Sequence, residues 1–232
     1  MGAITKAHVV DSIISHSYDF ESDGRRFRRD LAAIGYDLSN ANLGGADMRH
    51  ADLRLVDMHS SNLGGASLVE ANMAGSNARG ASFGGANMGY VNISGADFEC
   101  ANLGGASLGY AKGSGADLRG ANMSGCYLGY ADLTGAVLVD AYVWGGFLRG
   151  CRLHRSDIRR AYLRGADLKG AQMTRAKLEG VQLQGANVEG LVISSSSVPH
   201  LLAAMGLASR DAQRTKEAAL KLVVSHGVQL GR

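Results

Sequence analysis

The sequence has little of what a conventional globular core or a membrane protein requires. Its 232 residues include one proline and only 6% aromatic residues, so a core of large interlocking side chains is not expected. No apolar run approaches the ~20 residues that span a bilayer. The amino terminus lacks the apolar segment of a signal peptide, so we expect a cytoplasmic protein that does not bind membranes. The net charge of +3 gives no general case for nucleic acid as a partner.

Motifs of catalysis are also missing. We find no nucleophile elbow, P-loop, dinucleotide fingerprint or zinc spacing, so we predict that the chain is not an enzyme and holds no cofactor or metal. The three cysteines, Cys100, Cys126 and Cys151, show no ligand spacing and cannot all pair with one another. Because free cysteine is usually buried, we predict reduced thiols in the core.

What the chain has in abundance is glycine, at 33 residues, and a period of five. Every fifth residue from Leu38 to Ile193 gives 32 positions, and thirty of them are Leu, Met, Ile, Val or Phe, with Ala78 and Gly113 as the exceptions. The residue two positions earlier is Ala at 21 of 32 sites. Helices repeat at 3.6 residues and strands at 2, so neither places these residues on one face. A coil with four sides of five residues does.

A second period, of 20 residues, supports the four-sided coil. Glycine recurs at this spacing without exception, as expected where each coil turns the same corner. The sequence therefore predicts an all-β solenoid over residues 36–195, of about eight coils, between an amino-terminal helical cap (1–35) and a carboxy-terminal helical segment (196–232). The glycines of this column are Gly45, Gly65, Gly85, Gly105, Gly125, Gly145, Gly165 and Gly185.

Individual repeats resemble a known signature. The segments at 41–45, 131–135 and 166–170 read ANLGG, ADLTG and ADLKG, which resemble the A(D/N)LXX signature of the pentapeptide repeat family. The resemblance covers about two-thirds of the chain and implies a right-handed quadrilateral β-helix. Members of the family include topoisomerase-protecting proteins, bacterial effectors and developmental regulators, so the resemblance is far more specific for fold than for function.

Both ends of the chain leave the repeat register. The amino-terminal segment predicts a helix over roughly 3–16, followed by a cluster of arginines that we expect to be a solvated part of the cap. After the repeats, Pro199 begins one short helix, and Ser209 begins a second that ends near residue 225. The first helix is similar to the tail of the Qnr-type gyrase-protecting proteins, which implies a homodimer. A plain cap is the alternative. The candidate dimerisation residues are Leu201, Leu202, Met205 and Leu207.

Two sets of outward residues are candidates for binding a partner. Tyr90, Tyr110 and Tyr130 form a column at the 20-residue period, and with Trp144 they predict an exposed aromatic strip. The alternative is that these tyrosines only support one another across coils. The second set is acidic, namely Asp47, Asp52 and Asp57. Because His50 and His59 lie beside them, a metal site is conceivable, but solvated surface is the favoured interpretation.

Three hypotheses for function follow. The first is a non-enzymatic rod that imitates DNA and binds a type II topoisomerase, either DNA gyrase or topoisomerase IV, as protector or modulator. The second is a protein-binding scaffold or regulator unrelated to topoisomerases. The third, direct nucleic-acid binding, is the least favoured because the basic residues of the last coils spread over several sides. These are Arg149, Arg152, Arg155, Arg159, Arg160, Arg164, Lys169 and Arg175.

Overall fold

Parallel bridges between residues 20 apart run through the repeat region. In the computed structural model, which describes residues 4–206, 224 and 227–231, these bridges begin at Asp37 with Asp57 and recur every fifth residue up to Asp167 with Asn187. Each repeat therefore lies beside the repeat four positions further along the chain. The predicted period of 20 residues is confirmed, and the chain forms a β-helix solenoid. The handedness and the number of coils stay predictions.

Three backbone hydrogen bonds per repeat hold neighbouring coils together. In the first coil, the amide of Leu43 donates to the carbonyl of Asn62 at 2.7 Å, and the amide of Asn62 donates to Ala41 at 2.9 Å. The amide of Gly45 donates to Gly64 at 2.9 Å. Because the pattern repeats down the solenoid, the turns as well as the sides satisfy their polar groups between coils.

Each corner is a turn with a left-handed residue. The amide of Ala46 donates back to the carbonyl of Leu43 at 3.1 Å, and Gly45 between them has φ 70°. A turn with a positive φ at its third residue favours glycine, which has no Cβ to clash with the backbone. Where another residue occupies this position the backbone keeps the same shape, as at Tyr90, with φ 58°.

The two repeating inward positions form the core, as predicted. Leu43 and Leu103 are fully buried, and so are Ala51 and Ala101. Gly113 stands where the pattern calls for a large residue, and its neighbours fill the space. A Cβ at Gly113 would lie 2.7 Å from Leu133 Cδ2 and 3.2 Å from Ile93 Cγ1, the corresponding residues of the adjacent coils.

Helices close the amino-terminal end. Helix α1 spans Lys6–Ile14, which is shorter than predicted, and helix α2 spans Gly24–Ala33 and contains the arginine cluster. Phe27 is fully buried and its ring contacts those of Tyr18 and Phe20, with centroids 5.1 and 4.8 Å apart. The arginines are not all solvated, because the Arg28 guanidinium lies over the Tyr36 ring at 4.4 Å and 3.6 Å from Asp52.

The carboxy-terminal end combines short strands with a helix. Strands β1 (Gln172–Met173), β2 (Val192–Ser194) and β3 (Gln229–Gly231) form a parallel sheet in that order. A 3₁₀ turn at Ser195–Ser197 leads into helix α3, Val198–Ala204. The helix predicted from Ser209 falls almost entirely outside the described residues. Among the helices that are described, none is long and apolar enough to cross a membrane. The division into 1–35, 36–195 and 196–232 stays a prediction.

The packing at Gly113 predicts that the large apolar residue of the repeat pattern would destabilise the protein at this position. Restoring the pattern with Gly113→Leu is expected to destabilise the protein by roughly 1–3 kcal/mol, because Leu133 and Ile93 already occupy the space. The measurement is the urea midpoint of unfolding, with Leu108→Met as a volume-conserving control at the same repeat position. A higher midpoint for Gly113→Leu would show that the space is empty.

Candidate functional site

An uncharged surface covers two consecutive sides of three stacked coils and continues over residues 141–148 of a fourth, where Arg149 borders it. It consists of residues 81–90, 101–110, 121–130 and 141–148, none of which is Asp, Glu, Lys, Arg or His. We call this surface the aromatic face, because it holds every aromatic side chain that is exposed among the described residues. They are Tyr90, Tyr110, Tyr127, Tyr130, Tyr142, Trp144 and Phe147.

The predicted tyrosine column is a stacked ladder at one corner of this face. The rings of Tyr90 and Tyr110 lie 5.1 Å apart with an interplanar angle of 6°, and those of Tyr110 and Tyr130 lie 5.4 Å apart at 14°. Tyr110 therefore has both ring faces covered, although 48% of the residue is exposed. What the ladder offers a partner is ring edges and hydroxyl groups, which suit edge contacts and hydrogen bonds.

Tyr127 extends the ladder across the side of the coil. A Cβ at Gly129 would lie 2.5 Å from the Tyr127 hydroxyl oxygen, and a Cβ at Gly109 would lie 2.6 Å from the ring. The ring thus rests on bare backbone, and glycine is required beneath it. Its backbone bridges to Phe147 in the next coil, which is 52% exposed. Sequence reasoning missed Tyr127, although it occupies a position where most repeats have Asp, Asn or Ser.

Trp144 belongs to a second cluster on the preceding side of the coil. Tyr142 and Tyr162 stack with centroids 4.8 Å apart and an angle of 2°, and Trp144 meets both rings edge-on at 6.3 and 6.5 Å. Trp144 remains 51% exposed. The structure therefore places Trp144 and the tyrosine ladder on adjoining sides. Sequence reasoning also missed Tyr142 and Tyr162, although both occupy the same repeat position as Tyr127.

The acidic candidates lie in a coil that precedes the aromatic face, and two of them are ion-paired. Asp47 contacts Arg49, and Asp52 contacts Arg54, each at 2.7 Å. Hydrogen bonds from those guanidinium groups lower the pKa of both carboxyls. Asp57 lies 2.9 Å from His59 Nδ1. Asp47 and Asp52 therefore do not contribute to an unpaired negative surface.

The histidines and acids do not assemble a convincing metal centre in the described residues. His50 reaches Glu21 at 3.3 Å and Glu70 at 3.5 Å. Another group brings three carboxylates within 4.8 Å of one another. Both Arg79 and Arg119 pair with this group, which makes it an ion-pair network. Its members are Asp97, Glu99 and Asp117.

Two of the four candidate dimerisation residues pack within the chain itself. Leu201 is fully buried and Leu202 is 3% exposed. The helix that carries them caps the last coil, and the carbonyl of Ala204 accepts a hydrogen bond from Leu183 at 3.0 Å. Met205 is partly buried, and Leu207 lies outside the described residues. The hydrogen bond between Leu183 and Ala204 favours the interpretation of this helix as a plain cap, and the homodimer stays a prediction.

Comparison with known proteins identifies the repeat. The family model for pentapeptide repeats matches eight copies that together cover residues 37–190, more than half of the chain. The chain belongs to the pentapeptide repeat family. Among curated proteins, none matches significantly.

Solved structures of pentapeptide repeat proteins share the fold. Two trypsin-treated variants of QnrB1, a plasmid-mediated fluoroquinolone resistance protein, are 20% identical. One covers 75% of this chain and 86% of its own with a TM-score of 0.57, and the other 70% and 84% with a TM-score of 0.58. HetL, a pentapeptide repeat protein involved in heterocyst differentiation regulation from the cyanobacterium Nostoc sp. strain PCC 7120, is 26% identical with a TM-score of 0.48, and the match covers 68% of this chain and 80% of HetL.

The cysteines of this pentapeptide repeat protein divide into two kinds. Cys126 and Cys151 are fully buried, as predicted, and burial raises the pKa of Cys126 to about 12. Burial also raises the pKa of Cys151. The prediction was wrong for Cys100, which is exposed at a corner with φ 59°. A corner residue points outward whatever its hydrophobicity.

Thiol reactivity tests this division. At pH 8 the folded protein is expected to react with Ellman's reagent at Cys100 alone, because the two buried thiols are neither accessible nor ionised. All three thiols should react in denaturant. The check is the count of released chromophore per chain, with Cys100→Ser as the variant that should read zero when folded. Fast reaction of that variant would contradict the burial.

Proposed function

We propose that this protein is a non-catalytic rod that binds another protein through its aromatic face. The observation that carries the proposal is the absence of charge over two sides of three coils and residues 141–148 of a fourth, combined with seven exposed aromatic residues. Monomeric proteins rarely expose large apolar patches without a function, and tyrosine and tryptophan are enriched at the energetic centres of interfaces. Elsewhere many charges form ion pairs, as Asp47 does with Arg49 and Arg160 with Asp140, which is ordinary for solvated surface.

The geometry of the rings favours a protein over a nucleic acid. Single-stranded nucleic acids stack their bases on aromatic ring faces beside a basic groove. Here Tyr110 has both faces covered by its neighbours, and Tyr127 has one face on glycine backbone. The aromatic face also contains no cation to contact phosphates. Ring edges, hydroxyls and bare backbone are better suited to the side chains of a protein partner.

The partner that we propose first is a type II topoisomerase, either DNA gyrase or topoisomerase IV. Support comes from the fold shared with QnrB1, described as a fluoroquinolone resistance protein, and from the Qnr-like segment at 201–207. That segment also supports a homodimer through residues 196–232. Mimicry of DNA by charge has less support, because Asp47 and Asp52 are ion-paired. We therefore place the contact on the aromatic face.

A supercoiling assay tests the topoisomerase proposal. Purified gyrase inhibited by a fluoroquinolone is expected to recover supercoiling when the wild-type protein is added at micromolar concentration. Trp144→Ser should lose this effect at equal concentration, because it removes the central residue of one aromatic cluster. No effect of the wild-type protein on gyrase or topoisomerase IV would exclude this partner. The aromatic face would then be the binding surface of a scaffold or regulator unrelated to topoisomerases.

A glycine series tests the aromatic face itself. Tyr90→Gly, Tyr110→Gly and Tyr130→Gly, combined in one variant, should fold, because glycine is the native residue further along this corner, at Gly150 and Gly170. The loss of stacking, about 0.5–1.5 kcal/mol per pair, is offset by the relief of the left-handed backbone.

The measurement is capture of partners from lysate by the immobilised variant and by wild type. The glycine variant should lose the specific partners that wild type retains. Leu55→Gly is the matched control, since Leu55 is also an exposed corner residue, with φ 60°, but lies outside the aromatic face. If the triple variant captured the same partners as wild type, the ladder would be only a structural support.

A further inference from the structure

One corner of the solenoid changes from glycine to arginine in two consecutive coils. Along this corner, residues 75, 95, 115 and 135 are all glycines with positive φ. The next two residues are Arg155 and Arg175, with φ 57° and 61°. A residue with a Cβ is disfavoured in this conformation. The two arginines therefore occupy positions where glycine would stabilise the fold more.

Arg155 and Arg175 also have the same charge and are neighbours in adjacent coils. Consecutive coils lie ~4.8 Å apart, so their backbones are close neighbours. Elsewhere the same vertical spacing brings opposite charges together. Arg160, also at a corner, contacts Asp140 at 2.7 Å, and Lys169 contacts Glu189 at 2.8 Å. In the described residues no carboxylate lies within 4.0 Å of the side chain of Arg155 or Arg175, so neither has the compensation that Arg160 has.

The arginines line an open cavity of about 300 Å³, and no acid is among the described residues of its lining. Arg152, on the same side, lies 3.3 Å from Asp132, the nearest acid. The His154 ring is held by hydrogen bonds to Gln172, at 2.8 Å, and to Thr174. The lining residues, which we call the basic corner, are Thr134, Arg152, His154, Arg155, Thr174 and Arg175.

A neighbouring depression is also basic, but its cations are paired with carboxylates. It is lined by Arg159, Arg160, Lys177 and Glu179. Each cation there already has a carboxylate, since Arg159 contacts Asp157 at 2.7 Å and Lys177 contacts the same group at 3.3 Å. The basic corner differs because, among the described residues, neither Arg155 nor Arg175 has a carboxylate partner.

We propose that the basic corner binds a phosphomonoester group. Guanidinium groups present planar forks of N–H donors that match phosphate oxygens, and two or three of them around one dianion form strong charge-assisted hydrogen bonds. Such a ligand would offset both the like-charge repulsion and the strained backbone of Arg155 and Arg175. The group can come from free phosphate or from a phosphorylated side chain.

The test combines Arg155→Gly and Arg175→Gly in one variant. Because glycine is native at this corner in four earlier coils, the variant should unfold at a higher urea concentration than wild type. Its affinity for phosphate should nevertheless fall by at least roughly tenfold, since each lost bond involves charged groups. The probes are inorganic phosphate and N-acetyl-O-phosphoserine amide, titrated by calorimetry or by NMR at fixed ionic strength.

Arg160→Gly is the matched control, because it also removes a corner arginine but one that Asp140 neutralises. This control should bind phosphate as wild type does. Tighter binding of phosphoserine amide than of phosphate would identify a phosphorylated side chain as the source, and the reverse would identify free phosphate. The proposal is overturned if wild type binds neither probe at millimolar concentration, if it binds only a DNA duplex, or if the double glycine variant binds as well as wild type.

Discussion

The left-handed turn that closes every fifth residue is the constraint on which the solenoid depends. It lets the chain change direction after a side of only five residues and brings it back beside itself after 20. The amide of the turn residue then donates to the next coil, as Gly45 does to Gly64 at 2.9 Å. A core of single leucines and alanines is sufficient only because this backbone ladder satisfies the polar groups around them.

Since two positions of every repeat are committed to the core and one to the turn, the remaining outward positions are free to vary. Residues 20 apart become neighbours in adjacent coils. A surface feature is therefore formed by residues at this spacing rather than by consecutive residues of the chain. Asp140 and Arg160 pair in one column, and Tyr110 and Tyr130 stack in another. Two sides of the same rod can therefore be uncharged and aromatic while the others have dense ion pairs.

The periods of five and 20 residues were sufficient to predict the features of the structure that repeat. The buried positions, the pairing of residues 20 apart and the tyrosine ladder are all periodic. The sequence could not show what fills a break in the pattern, as Leu133 and Ile93 do at Gly113. It also could not show that Tyr127 lies over glycines of its own and the preceding coil, because ring orientation follows from the backbone beneath it.

The ion pairs and Cys100 were missed for a related reason. Residues two apart along a short side point to the same surface, which brings Arg49 to Asp47, but the prediction treated the acids as a set of their own. Cys100 was assigned by residue type, whereas its position in the repeat decides that it faces outward. In a solenoid of this kind, repeat position outweighs hydrophobicity.

Residues at the left-handed corners also help to distinguish positions that stabilise this fold from positions that bind a ligand. Glycine fits a left-handed corner best, so a residue with a Cβ there carries backbone strain that a contact can offset. Arg160 has Asp140, and Tyr110 has the rings on either side. Arg155 and Arg175 share the backbone strain but show neither kind of contact in the described residues. That difference, rather than the number of basic residues, separates the basic corner from the rest of the charged surface.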